Sequence, residues 1–161
     1  FFVMLYVLYA FRRLEKSYRF AFSAVLTLVH DVVLVTGIYA LLGHIFGLQV
    51  NSVFIVALLT VIGYSVNDTI VIFDRIRENQ IKFPDNKYSS NINISINESI
   101  IRSLGTSITT LLVLFSMLVL GGSTLREFIV VLILGVIVGT YSSIFIASQF
   151  LIIWEEGIKK K

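Results

Sequence analysis

The sequence contains no cysteine, one proline and one tryptophan, and only 14% of its 161 residues are charged. The absence of cysteine excludes disulfide bridges, thiolate metal sites and a cysteine nucleophile. The chain also lacks a GxxxxGK[ST] phosphate-binding loop, and neither a Ser-His-Asp set nor a metal cluster is evident. We therefore expect a protein that is not an enzyme and has no catalytic residues, metal or cofactor, and nothing indicates nucleic-acid binding.

Apolar residues dominate instead: 57% of the chain is hydrophobic and the mean hydropathy is +0.90. A bilayer core about 30 Å thick needs about 20 apolar residues per helix. Four complete runs and one partial run meet or approach that length: about 1–14 (partial), 20–42, 50–73, 104–120 and 128–154. The fold class predicted is all-α, a polytopic transmembrane helical bundle. Because the partial run starts abruptly without a Met, we expect a fragment of a longer chain.

The distribution of Lys and Arg predicts the topology. These residues gather between the first two runs, in the long connection 75–103 and after the last run, whereas 43–49 has none and 121–127 has one. Loops rich in Lys and Arg face the cytoplasm, so the C-terminus is predicted to be cytoplasmic in a multi-pass membrane protein. Pro84 predicts a bend within the connection, and from Ile92 a partly amphipathic helix is expected to lead into run 104–120.

Asp68 lies inside run 50–73, where a bare charge costs roughly 2.5–3.5 kcal/mol on insertion scales. Counting 1.5 Å per residue, Asp68 lies about 23 Å from the outer end of its run and Arg102 about 28 Å from the outer end of the next. The depths differ by about one helical turn, so an ion pair between the two is geometrically allowed. A carboxylate balanced between desolvation and a guanidinium can carry a proton. The alternatives are a permanent structural pair, or an Arg102 that only snorkels to the interface.

Three further groups stand out. His30 and Asp31, near the middle of run 20–42, are either a second proton relay or hydrogen-bonded core residues. Asn67 and Thr106 are polar neighbours of Asp68 and Arg102 and are candidates for supporting roles. The small residues at four-residue spacing in run 128–154 predict close helix packing; they are Gly135, Gly139 and Ser143.

The segment Gly63–Asn79, GYSVNDTIVIFDRIREN, resembles the signature of the SecF family of protein-export membrane subunits, within the resistance-nodulation-division superfamily. The resemblance extends to residues 29–32, 97–110 and 135–143. Gly105 departs from the family pattern, where a bulkier residue is usual, and is expected to loosen packing near Arg102. The resemblance implies a six-helix membrane domain, of which this chain holds the last five helices and lacks the first helix and the periplasmic domain.

The resemblance also implies a function. SecF-family proteins work with SecD, as a heterodimer or a fused chain, and with the SecYEG channel to complete preprotein export at the expense of the proton gradient. Asp68 and Arg102 match intramembrane proton-pathway positions, and Thr106 and Asp31 match motif residues. The implied location is the bacterial inner membrane, with a plastid membrane less favoured. The alternatives are an exporter of small molecules or lipids on the same scaffold, and a translocon scaffold whose charges never titrate.

Overall fold

The computed structural model describes residues 5, 6, 9 and 17–159, and this part of the chain consists of helices joined by short turns. In chain order the elements are α1 (Ser17–Phe46), α2 (Ser52–Lys82), α3 (Tyr88–Leu120), α4 (Ser123–Ser142), a π-helical turn (Ser143–Ala147) and α5 (Ser148–Lys159). Four spans are long and apolar enough to cross a membrane, the last running without a break through α4, the π turn and α5. The predicted all-α membrane bundle is confirmed. The partial segment at 1–14 lies almost entirely outside the described residues.

The last span is the centre of the bundle. Of its apolar stretch 61% is buried, against 17–33% for the other three spans. It packs along α2, its main neighbour, and also contacts α1 and α3. The remaining helices therefore turn one face inward and keep most of their apolar surface on the outside, as helices in a bilayer can.

Residues in the short connection explain where α1 ends and where α2 begins. Gly47 has a φ of 71°, and its backbone N–H donates to the Gly43 carbonyl at 2.9 Å, which ends α1 in the left-handed conformation that glycine adopts without strain. The Asn51 side chain accepts a hydrogen bond from the Phe54 N–H at 3.0 Å and so caps the start of α2. The connection between α1 and α2 is thereby kept short.

Two glycines allow α4 to approach α2 closely. A Cβ at Gly135 would overlap the side chain of Val61, and a Cβ at Gly139 would lie 3.2 Å from the Ser65 Cβ. Both glycines are buried. Close contact of this kind brings the polar atoms of Ser65 next to those of the last span.

The connection 75–103 is largely helical. With 31 residues, α2 is about 46 Å long, well beyond a hydrocarbon core of about 30 Å, and α3 begins at Tyr88. Only residues 83–87, which include Pro84, break the two helices. Asn79 and Asn91 hold the hairpin together, since the Asn79 amide donates to Ser95 at 3.0 Å and the Asn91 amide donates to the Phe83 carbonyl at 2.9 Å.

Candidate functional site

Asp68 lies at the junction of three helices. Its carboxylate accepts a hydrogen bond from the Ser103 hydroxyl on α3 at 2.8 Å and a second, short one from the Ser143 hydroxyl at the start of the π turn. The residue is half-buried, whereas both serines are buried. Each carboxylate oxygen therefore has one hydroxyl donor, and the two donors come from different helices.

Asp31 forms a second carboxylate centre on α1 and is more deeply buried, at 1% exposure. One of its oxygens accepts hydrogen bonds from Ser65 on α2 and, at 2.7 Å, from Ser142 on α4. The other lies 3.1 Å from the His30 Nδ1. Hydroxyl groups thus donate hydrogen bonds to both aspartates inside the bundle. Ser142 donates to Asp31 and Ser143 to Asp68, although the two serines are neighbours in the sequence.

The structure does not bring Arg102 and Asp68 together. Within residues 17–159, no ion pair joins them, and Arg102 is exposed. The reason is helical geometry: Ser103 points at Asp68, and the preceding residue of a helix points about 100° away from it. Arg102 instead lines a cleft of about 310 Å³ at the end of the apolar runs. The cleft also contains Asp74, Arg75, Glu78, Glu98 and Ser99.

Ion pairs and hydrogen bonds organise this cleft. Arg75 donates to Glu98 at 2.8 Å and to Glu78 at 2.6 Å. The Asn79 amide donates to Glu98 at 2.7 Å, and this bond, together with Arg75, lowers the pKa of the Glu98 carboxyl. With Glu98 held in the ionised form, the cleft contains side chains of both charges, Arg102 among them.

Among residues 17–159, Asn67 and Thr106 make no hydrogen bond to Asp31 or Asp68. Asn67 is exposed, and so is Thr106, whose hydroxyl donates to the Arg102 carbonyl of its own helix at 3.0 Å. Gly105 is exposed, and a Cβ at this position would have no atom within 4 Å, so it does not loosen the packing near Arg102 as expected. His30 contacts Asp31, whereas Gly135 and Gly139 place the last span against α2.

The hydroxyl donors to the aspartates were not predicted from the sequence, which indicates only helix packing for Ser143. Small polar residues recur every four positions along α3, and all of them are buried: Asn91, Ser95, Ser99, Ser103 and Ser107. The stripe extends the polar contacts one turn beyond Ser103, away from the hairpin, because Ser107 lies 2.6 Å from the Thr140 hydroxyl and 3.0 Å from the Tyr64 hydroxyl. Four-residue spacing was the available signal, since it places all five residues on one helical face.

The fold and this site define a class of protein: a multi-pass membrane helical bundle that holds two carboxylates among hydroxyl donors in its interior. The family described as "Protein export membrane protein SecD/SecF, C-terminal" matches residues 1–157. By this match, the chain belongs to the SecD/SecF family.

Individual relatives agree with the family match. The chain is 44% identical to the protein translocase subunit SecF of Thermobaculum terrenum, over 93% of this chain and 47% of that protein. It is 42% identical to the protein translocase subunit SecDF of Thermus thermophilus, over 98% of this chain and 20% of that protein. The chain thus spans about half the length of the SecF relatives.

The fold itself also has solved counterparts. A crystal structure of SecDF in a super-membrane-facing form superposes with a TM-score of 0.87 at 42% identity, covering 98% of this chain and 20% of that one. A crystal structure of SecDF from Thermus thermophilus, described as a translocon-associated membrane protein, gives 0.84 at 44% identity, covering 95% and 20%. At this level of identity the bundle and its helix order are those of the SecDF membrane region.

Proposed function

We propose that this chain is part of a proton-driven accessory subunit of the Sec translocase, which promotes late steps of preprotein translocation together with SecD and the SecYEG channel. Its place would be the bacterial inner membrane, with the C-terminus in the cytoplasm. No catalytic chemistry is needed for this role, and protons are the only coupling ion. The relatives named as translocase subunits support the export role.

The observation that carries the proton-driven part is the pair of carboxylates inside the bundle. Intramembrane acids are costly and usually mark ion or proton pathways. Asp68 is bound only through hydroxyl groups within the described part of the chain, so it can take up a proton without breaking an ion pair. Arg102, which lines the polar cleft, is the residue next to Ser103 on α3, so the cleft lies near the Asp68 site on the side of the charged hairpin.

The energy available fits a conformational role. One proton crossing a potential of 100 mV supplies about 2.3 kcal/mol. This amount can shift the balance between two arrangements of a bundle, but it does not unfold a stable preprotein. The subunit is therefore expected to bias small movements that repeat during translocation.

The test is Asp68→Asn in the full-length protein, with preprotein export followed in inverted vesicles with and without a proton gradient. We expect this variant to lose the gradient-dependent increase in export, while a blot still detects SecD associated with it. Asp85→Asn is the matched control, because Asp85 lies in the exposed turn of the hairpin and loses the same charge. Full retention of the increment in Asp68→Asn would contradict the proposal and favour a scaffold whose aspartates never titrate.

A further inference from the structure

Ser143 has a choice of hydrogen-bond acceptors. Its single hydroxyl proton can go to Asp68, to the Gly139 carbonyl at 2.8 Å or to the Thr140 carbonyl at 3.2 Å. The carbonyls belong to the preceding turn of its own helix, and serines in helices often bond there. Rotation about one side-chain bond is enough to move the proton from the carboxylate to the backbone.

The position of Ser143 in the helix is also unusual. The π-helical turn begins at this residue and ends at Ala147, between α4 and α5. The π-helix is rare, appears mostly as a single turn inside an α-helix, and is frequent at functional sites. Here the widened turn starts at the residue whose hydroxyl reaches Asp68, inside the most buried span of the bundle.

We propose that Ser143 is a positioning residue that follows the charge of Asp68. When Asp68 is ionised, the Ser143 hydroxyl donates to its carboxylate. When a proton arrives on that oxygen, the new carboxyl O–H donates to the Ser143 oxygen, and the serine proton turns to the Gly139 carbonyl. The site gains only the arriving proton, which forms the new carboxyl O–H bond, and no covalent bond is broken. The proposal rests on the proposed function in taking Asp68 as the group that is protonated.

Other ionisable side chains lie on the elements around Asp68. They are His30 and Asp31 on α1, Tyr64 on α2, Arg102 on α3 and Tyr141 on α4. A substitution at Ser143 leaves all of them in place, and Asp31 keeps its own donors, Ser65 and Ser142. A change in the charge of Asp68 that appears only with Ser143 variants is therefore due to the lost hydroxyl.

The experiment uses the full-length protein with SecD in membrane vesicles. Dicyclohexylcarbodiimide is an apolar reagent that attacks protonated carboxyls, and mass spectrometry then measures the adduct on the peptide that contains Asp68. Ser143→Ala removes a donor to the charged form, so the labelling rate should rise about tenfold at a pH where Asp68 is mostly ionised. Ser143→Cys, a weaker donor of similar volume, should fall between Ser143→Ala and the unaltered protein.

Ser148→Ala is the matched control. Ser148 is equally buried on the same span, but its hydroxyl donates at 2.6 Å to the Ile144 carbonyl of its own helix. Its labelling rate should equal that of the unaltered protein, and Asp68→Asn should show no adduct at this position. If Ser143→Ala labels at the same rate as Ser148→Ala, the positioning role is refuted.

The export assay separates this proposal from the proposed function. Ser143→Ala should lose most of the gradient-dependent increment while SecD still associates, and Ser143→Cys should recover part of it. If labelling responds to Ser143 but Asp68→Asn exports normally, the positioning role stands and the proton-driven role fails. If Asp68→Asn abolishes the increment while Ser143→Ala behaves as Ser148→Ala in both assays, only the role of Ser143 fails.

Discussion

At the scale of single residues, hydroxyl groups take the place expected for an ion pair. A hydrogen bond to a charged group contributes roughly 1.5–3 kcal/mol, and a carboxylate at the bilayer centre costs roughly 2.5–3.5 kcal/mol on insertion scales. Two serine donors are therefore enough to hold Asp68 in the bundle, and Arg102 is not required as a permanent counter-ion.

The glycines of the last span give a prediction at the same scale. Gly135→Ala should destabilise the protein by about 1–3 kcal/mol, because the added methyl group overlaps Val61 in a packed helix contact. Thermal unfolding in detergent measures the change. Gly105→Ala is the control, since its Cβ meets open space on an exposed helix and should be neutral or favourable by about 0.5–1 kcal/mol.

A compensating change at the contact makes this prediction sharper. Val61→Ala in combination with Gly135→Ala should recover part of the lost stability, because it removes the two γ-carbons that the new methyl group meets most closely, whereas the Val61 Cβ, at 2.7 Å, remains. Equal unfolding temperatures for Gly135→Ala and Gly105→Ala would show that α2 and α4 do not approach each other closely at Val61.

At the scale of elements, the apolar runs predicted four long helices that are apolar enough to cross a membrane, because a bilayer demands long uninterrupted helices. The helix expected from Ile92 into run 104–120 is present and begins at Tyr88, but the continuation of α2 to Lys82 was not predicted, since it is held by polar contacts between the two arms of the hairpin. Asn79 and Ser95 illustrate this, because their contact depends on the hairpin already being formed. For the same reason, the partners of Asp31 and Asp68 could not be read from the chain.

The two connections that flank α3 allow a direct test of topology. These 161 residues contain no cysteine, so a thiol introduced here is the only one among them. Asp85→Cys places it in the hairpin turn, and Gly122→Cys places it at the opposite end of α3, where a Cβ meets no atom within 4 Å. In intact cells, a membrane-impermeant maleimide should label the thiol at position 122 and not the one at position 85.

Inverted vesicles provide the control for this measurement, because the labelling pattern should reverse in them. Labelling of both positions from the same side would mean that α3 does not cross the membrane. Labelling of position 85 alone in intact cells would mean that the predicted orientation is wrong.

At the scale of the whole molecule, contacts between residues far apart in the sequence stabilise the end of the bundle next to the charged hairpin 75–103. An apolar cluster there includes Phe20 from α1, Phe73 from α2 and Leu151 from α5, and the two phenylalanine rings meet edge to face at 5.3 Å. Beside it, Arg19 and Glu155 form a buried ion pair between the first and last helices. Burial raises the pKa of the nearby Tyr88 phenol to about 12.

The Arg19–Glu155 pair joins α1 to α5, and its contribution to stability can be measured. Removing one partner leaves a buried charge without its counter-ion, so Glu155→Ala should cost about 3 kcal/mol or more. The single tryptophan, Trp154, packs against Phe22 at 4.8 Å and gives a local fluorescence signal for unfolding of this end. The double variant Arg19→Met with Glu155→Leu should recover most of the loss, since two apolar groups leave no buried charge.

An exposed ion pair elsewhere in the chain provides the control for this measurement. Arg77→Met removes the partner of Asp74, which lies 3.6 Å away and is exposed, and such pairs contribute little to stability. Its unfolding temperature should therefore stay close to that of the unaltered protein. If Glu155→Ala unfolds at the same temperature as Arg77→Met, water reaches the Arg19–Glu155 pair, and this pair does not hold α1 and α5 together.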